Sequence, residues 1–393
     1  MVTSKDDRNA EDLLARAAQQ DELSHEEALF LYRAELPALL SAAASLRDRF
    51  HGRNISFSKK VFIPLTPLCR DYCGYCTFRR DPAEQGGRFL APDEVLDLAE
   101  RGRRAGCKEA LFSLGDQPER VFPEAAEQLR QLGFTRTLDY LAAMCELTLE
   151  RTELLPHANP GLMGTGDLER LRRSNVSVGL MLESVSTRLM RKGEVHWNAP
   201  DKVPSLRLRT VEEAGKLRMA FTTGILIGIG ETLEERIESL FAIRELHARY
   251  GHIQEVIVQN FRAKPGTRWE FMPEPSLEDM LRTLAIARLI LGGKMNLQAP
   301  PNLSYADFPR LLEGGINDWG GISPVTQDFI NPEAPWPALA LLKEKTEAAG
   351  YELRERLAIY PEFAQQAEFV DPRLRSYLEQ WLDTEGYAQS CAN

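Results

Sequence analysis

Along the middle of the chain, short runs of apolar residues alternate with longer stretches in which apolar positions recur every third or fourth residue. The runs are "VFIPL" (61–65), "EALFSL" (109–114), "LLPHA" (154–158), "VSVGLML" (176–182), "AFTTGILIG" (220–228) and "EVIVQNF" (255–261). Helical periodicity covers about 92–105, 123–133, 137–151, 166–173, 205–217 and 232–250. A run of apolar residues bounded by turn signals marks a strand buried on both faces, and the 3.6-residue period marks a helix laid against it. Six such repeats predict a parallel sheet covered by helices. "MNLQA" (295–299) offers one further strand, short of the eight units that closure needs. The pattern therefore predicts an α/β fold, a partial (β/α)6 TIM-like barrel over residues 55–300.

The flanks read differently. Residues 11–51 are helical in pattern, with Ser24 and Glu27 spaced as a capping box before "ALFLYRAEL", so residues 1–54 form an N-terminal helical extension. Past residue 300 the chain is rich in Gly, Pro and Asn, yet Trp319, Phe329 and Trp336 give it something to bury. Residues 301–393 read as an ordered C-terminal cap with helices, not a linker.

Composition narrows the classes. Apolar residues make up 43% of the 393, charged residues 27%, and the net charge is −10. That balance suits a soluble globular protein, and a non-specific nucleic-acid binder would carry a basic footprint instead. No stretch approaches the roughly 18–20 apolar residues that span a bilayer. The acidic N-terminus has no apolar segment of a secretory signal. Cys107, Cys145 and Cys391 stand singly, without the spacing of a disulfide framework, and the reducing cytoplasm is the expected compartment.

The other three of the six cysteines fall within eight positions: "CRDYCGYC", Cys69, Cys73 and Cys76. They follow the first strand directly, at the sheet edge where chemistry collects in parallel α/β folds. A tetrahedral zinc site wants four ligands, commonly in paired C-x2-C knuckles; no second pair exists, and His51 lies across a strand without matching spacing. Buried structural cysteines belong on an apolar face, whereas Arg70 and Asp71 make this loop polar. An iron–sulfur cluster fits better. A 4Fe-4S cluster normally takes four thiolates, so three leave one iron open to a ligand. That exposure suits a catalyst more than an electron carrier.

"CRDYCGYC", with aromatic Tyr75 before its last cysteine, resembles the C-x3-C-x2-C signature of the radical S-adenosylmethionine (SAM) superfamily. "LFSLGDQPE" (111–119), "TTGILIGIGET" (222–232), "QNFRAKPGT" (259–267) and "GINDWGGISPVTQDFINPEAPWP" (315–337) extend the resemblance to CofG-type subunits of deazaflavin (FO) synthase, over about residues 55–370. The resemblance implies a radical SAM barrel in which SAM chelates the open iron. An electron then splits its sulfonium, and the resulting 5′-deoxyadenosyl radical abstracts hydrogen. It implies a carbon–nitrogen lyase that converts 5-amino-5-(4-hydroxybenzyl)-6-(D-ribitylimino)-5,6-dihydrouracil into FO, releasing ammonia, 5′-deoxyadenosine and methionine, on the way to coenzyme F420. A separate CofH-type partner would supply that adduct from tyrosine, because this chain carries one cluster motif. Flavodoxin or ferredoxin would supply the electron. Three rivals stand beside this: a CofH-like or aminofutalosine-synthase-like sister, an iron–sulfur electron carrier, and a sulfur-inserting enzyme, for which the single cysteines offer no second cluster.

The same resemblance assigns residues. Tyr75, Gly115, Asp116, Glu183, Leu226 and Gly228 are the expected SAM contacts. Gly115 would admit the SAM ammonium to the backbone, and Asp116 would either orient it or cap the turn before "PERVFPEAAEQL". Glu183 would accept from the ribose hydroxyls or cap a helix with Ser184 and Ser186. "GILIGIGE" fits a G-x-I-x-G-x-x-E pattern, with Leu226 on the adenine and Glu231 more structural than catalytic. His196, Asn198 and Asp201 after the fourth strand, with Gln259 and Asn260 after the sixth, are the expected substrate contacts, His196 also as a general base. Trp319 would either close the mouth or anchor the cap.

Overall fold

The computed structural model describes residues 5–389, and Cys391 lies outside the described residues. Eight parallel strands form a barrel: β1 (Asn54–Thr66), β2 (Glu109–Leu114), β3 (Leu155–Asn159), β4 (Ser177–Gly179), β5 (Phe221–Ile227), β6 (Ile253–Asn260), β7 (Leu297–Gln298) and β8 (Asp318–Ile322). Neighbours follow sequence order, and β1 pairs with both β2 and β8, which closes the ring. The TIM-like α/β expectation holds, but the count is eight rather than six. The last two strands escape a reading by apolar runs because β7 has two residues and β8 is "DWGGI". Barrel and cap therefore do not separate at residue 300.

Glycines in β8 are there for space. A Cβ on Gly320 would lie 2.1 Å from Gln298 Nε2, and one on Gly321 would lie 2.1 Å from Lys60 Cε. Any larger residue would collide with side chains filling the lumen. A ninth strand, β9 (Glu352–Arg356), pairs with Asn54–Ser58, leaving Lys60–Thr66 of the thirteen-residue β1 for β2. The chain then crosses the barrel floor at Arg356–Tyr360.

Outside the barrel, helices bury apolar faces against the strands. The N-terminal helices His25–Tyr32 and Leu36–His51 pack on the helices Leu233–Tyr250 and Leu277–Leu291. The expected capping box is formed: Glu27 N–H donates to Ser24 Oγ (3.2 Å) and Ser24 N–H to Glu27 Oε2 (2.9 Å). Arg47, wholly buried, ties this extension down by donating to the carbonyls of Leu312 (2.7 Å) and Ile316 (3.0 Å). The segment after β8 packs against β1 and the loop that leaves it. Thr326 Oγ1 accepts from Phe62 N–H (3.0 Å), Phe329 packs on Phe62, and Thr77 Oγ1 donates to Ile330 O (3.4 Å).

Trp319 does not close the mouth. It points outward from β8, is 0% exposed, packs edge-on against Phe308 and donates from Nε1 to Thr346 Oγ1 (3.0 Å). Its role is packing between barrel and helices. Trp319→Ala is expected to cost about 3–5 kcal/mol through the cavity it leaves between barrel and helices. A urea-unfolding midpoint unchanged from wild type would contradict that placement.

Candidate active site

A cavity of about 360 Å³ opens at the C-terminal ends of the strands and descends into the lumen. Its upper wall carries Cys69, Cys73 and Cys76, in the loop that leaves β1. Main-chain bonds pin that loop to its neighbours: Arg70 N–H to Asp116 O (3.1 Å), Tyr72 N–H to Asn198 O (3.0 Å) and Gly74 N–H to Val195 O (2.7 Å). Two glycines permit the fit. A Cβ on Gly115 would meet Leu68 O at 2.0 Å and Cys69 Cβ at 2.6 Å, and one on Gly74 would meet the Trp269 ring at 2.6 Å.

Three soft sulfur donors on one wall suit iron or zinc more than a hard cation. Among the described residues, the group of three ligating side chains whose donor atoms lie within 4.8 Å of one another is Asp71, Asp116 and Asp201, not the cysteines. One zinc with bonds of about 2.3 Å would hold sulfurs roughly 3.8 Å apart. The wider spread leaves room for a cluster. Cys69 Sγ already accepts N–H bonds from Asp71 (3.4 Å) and Asp116 (3.2 Å), which favour thiolate, although burial pushes the Cys69 and Cys73 thiols up. A cationic cluster would reverse that balance.

Beside the cysteines lies a charged network centred on Glu183. The chain leaves the sheet after β4, returns in a bridge to Ile225, and holds Glu183 at φ +64°. Its carboxylate accepts from Tyr75 Oη (2.6 Å), Lys202 Nζ (2.6 Å) and His196 Nε2 (3.0 Å). Burial alone would raise its pKa, but Lys202, His196 and Arg207 hold it well below the usual carboxylate range. The nearby acids are matched too. Asp116 pairs with Arg70 and Asp201 with Arg207, while Asp71 accepts from Asp201 N–H (3.0 Å). Burial still lifts Asp116 to about 7 and Asp71 to about 6.

The expected site residues divide. Tyr75, Gly115, Asp116, Glu183, Asp201, Leu226 and Gln259 line the cavity with the three cysteines. His196 does not; it is buried behind Glu183 and edge-on to Tyr75, and burial lowers its pKa against the pull of Glu183. Asn198 is exposed at a φ +62° turn, where its carbonyl holds Tyr72. Asn260 turns away to donate to Leu303 O (3.2 Å). Gly228 backs the wall, where a Cβ would lie 2.3 Å from Pro275 Cγ, and its N–H is held by Glu231 (2.9 Å), which also pairs with Arg236. Glu231 is thus structural, as expected.

What the motif reading missed is the floor. Lys60 and Phe62 of β1, Glu109 of β2, His157 and Asn159 of β3, and Glu255 of β6 all line the cavity. The signal lies in alternation: Glu109/Leu111/Ser113 and Glu255/Ile257/Gln259 recur at every second position, one face of each strand. Glu255 accepts from Thr222 Oγ1 (2.9 Å), Arg356 Nη2 (3.1 Å) and Tyr360 Oη (3.1 Å), and Arg356 also pairs with Asp318 (2.7 Å).

Cys69→Ala, Cys73→Ala and Cys76→Ala are each expected to lose most of the iron bound on anaerobic reconstitution. Cys107→Ala, which alters a thiol packed in the hydrophobic core, is expected to keep it. Equal iron in all four would rule out these ligands.

Comparison with known proteins agrees with this geometry. The family model described as the Radical SAM superfamily matches residues 63–243. A "7,8-didemethyl-8-hydroxy-5-deazariboflavin synthase" from Methanopyrus kandleri is 49% identical over 335 residues, 85% of this chain and 100% of that protein. An "FO synthase" from Nocardia farcinica is 49% identical over 385 residues, 94% of this chain but 44% of that protein, so the chain spans about half the length of such relatives. Among solved structures, methylornithine synthase (PylB) superposes with TM-score 0.69 at 20% identity, covering 87% of this chain and 97% of that one. The maturase HydG from Carboxydothermus hydrogenoformans gives 0.70 at 20%, covering 96% and 86%. Those two likenesses speak for the fold. The identity that runs the whole length of the archaeal synthase, together with three thiols on the wall of a closed barrel, establishes that the chain belongs to the radical SAM superfamily and, within it, to the family of 7,8-didemethyl-8-hydroxy-5-deazariboflavin synthases.

Proposed function

We propose that this chain carries out the CofG-type step of FO formation. It would act on 5-amino-5-(4-hydroxybenzyl)-6-(D-ribitylimino)-5,6-dihydrouracil, close the deazaflavin ring and release ammonia with 5′-deoxyadenosine and methionine. The observation that carries the reading is a closed lumen with three thiols at its mouth and a polar floor. Cys69, Cys73 and Cys76 would hold a 4Fe-4S cluster with one iron free for SAM. When bound, cluster and SAM together supply one-electron reduction and a hydrogen-abstracting species.

The protein's own part is binding, orientation and exclusion of water. Glu183, kept ionised, would accept from the ribose hydroxyls beside Tyr75 and Lys202. Leu226 offers an apolar face to the adenine, and Gly115 lets the backbone near the ammonium. Asp116, matched by Arg70, would carry little free charge there. His196 acts through Glu183, as a positioning residue and not as a base. Gln259 and Asp201 on the cavity wall, with Gln254 and Gln298 below, suit the alternating donors and acceptors of a pyrimidinedione. The segment 323–337 covers the mouth and keeps a reactive species from solvent.

In this reading a separate CofH-type protein supplies the adduct, and a flavodoxin- or ferredoxin-like donor supplies electrons. The cytoplasm, which keeps thiols reduced, is its place. Among the described residues no helix is long and apolar enough to cross a membrane.

The test feeds purified adduct to the anaerobically reconstituted protein and looks for FO fluorescence. Consumption of tyrosine instead would favour a CofH-like sister, and failure to cleave SAM would favour a carrier. Glu183→Gln should raise KM for SAM roughly 10–100-fold, the worth of a charge-assisted hydrogen bond. His196→Gln should raise it less and leave the alkaline side of the kcat pH profile unchanged, because burial lowers the pKa of His196. Loss of an ionisation on that side would make it a base after all.

A further inference from the structure

Lys60 stands apart from the other lumen charges. The groups that face it are Glu109 on β2, His157 on β3, Glu255 on β6, Asp328 after β8 and Arg356 on β9. Each acid among them is already taken. Glu109 accepts from Ser58 Oγ, and Glu255 from Thr222, Arg356 and Tyr360. Asp328 accepts from Asn302 Nδ2 (3.0 Å), Asn331 Nδ2 (3.0 Å) and Ile330 N–H (2.9 Å). Among the described residues no carboxylate comes within 4.0 Å of Lys60 Nζ, whereas the other cations of the site, Arg70, Lys202, Arg207 and Arg356, all have one. Burial without a partner lowers the pKa of Lys60 against the pull of the more distant acids, and an anionic ligand would restore its ammonium.

The surroundings define the ligand's shape. Gly321 presses backbone against the lysine stem, where a Cβ would lie 2.1 Å from Cε and 2.2 Å from Nζ. The Trp336 ring stands 5.9 Å from Nζ, and Phe62 lines the same wall. The indole N–H of Trp336 is itself buried without an acceptor. Two aromatic side chains and two unmatched donors make a place for a planar ring that ends in an oxygen, with the glycines giving room to the lysine itself.

We propose that Lys60 is a specificity-determining substrate contact: its ammonium holds the hydroxyl oxygen of the substrate's phenol ring, and of the product's hydroxylated ring, in a slot beside Trp336 and Phe62. This rests on the reaction proposed above. The contact moves no bond. It favours the ionised hydroxyl and so lowers the pH at which that group titrates.

The test uses FO and the cluster-free protein, so it does not depend on turnover. Wild type should bind FO and shift the titration of its hydroxyl, followed by absorbance, to lower pH than free FO. Lys60→Met should bind at least tenfold more weakly and abolish the shift, while Lys60→Arg should retain it. Failure of wild type to bind FO, an absent shift in wild type, or an unaltered shift in Lys60→Met would each overturn the slot. Should Lys60→Met not fold, judged by its urea midpoint, wild type and Lys60→Arg carry the same comparison, and loss of the shift in a folded Lys60→Arg counts against the proposal. A wild type that shifts FO yet forms none from the adduct would overturn the reaction and not the slot. FO formation with no shift would overturn the slot alone.

Discussion

A charge inside this barrel is costly unless it is matched there, and that constraint, which Lys60 alone among the site's described cations leaves to a ligand, organises the lumen. A buried ion pair gains little over a packed apolar pair, but removing one partner costs roughly 3–5 kcal/mol because the other is left bare. Two networks meet the demand. Near the mouth, Glu183 gathers Tyr75, His196 and Lys202, and Arg207 and Arg70 answer Asp201 and Asp116. At the floor, Arg356 bridges Glu255 and Asp318, and Ser56 adds a bond to Asp318. Closure by β8 makes this possible, since an open sheet would admit water and weaken every pair.

The floor network also explains the ninth strand. Arg356 is its last residue, and the turn that follows delivers Tyr360 Oη to Glu255 (3.1 Å) and Tyr360 N–H to Gln254 Oε1 (3.1 Å). Lys108 Nζ pairs with Glu355 (2.8 Å) just outside. The C-terminal segment is therefore part of the lumen and not an appendage. A Gly-, Pro- and Asn-rich tail after residue 300 hid that role, because it contributes single side chains at long range in place of a periodic face.

What the sequence made legible follows from how locally each feature is encoded. Six strands are visible because each is a continuous apolar run, and the cysteine loop because three ligands sit in one turn. β7 and β8 are invisible to that logic: two residues make no run, and glycines that clear space for Gln298 and Lys60 look like loop. The same limit separates the site residues. Leu226 lies in β5 and Glu183 bridges back to that strand, and both face the lumen, whereas His196, Asn198 and Asn260 sit in or beside loops whose orientation depends on distant partners, Glu183, Tyr72 and Leu303. Lys60 and Glu255 read as blemishes in apolar strands. Only closure turns those inward polar positions into a chamber.

One strand carries both ends of that chamber. β1 holds Lys60 midway along its length and delivers Cys69 from the loop just past its end. The six steps of strand from Lys60 to Thr66 rise roughly 3.3 Å each, which sets Lys60 about 20 Å below the point where the cysteine loop begins. Pairing with β2 from Lys60 to Thr66 keeps that separation constant, so the strand acts as a gauge for whatever lies between. On the proposed reading a nucleoside reaching down from the cysteine wall and a substrate of two linked rings would share that length. The reacting carbon would then be located by both ends at once, the cysteine wall fixing the one partner and Lys60 the other.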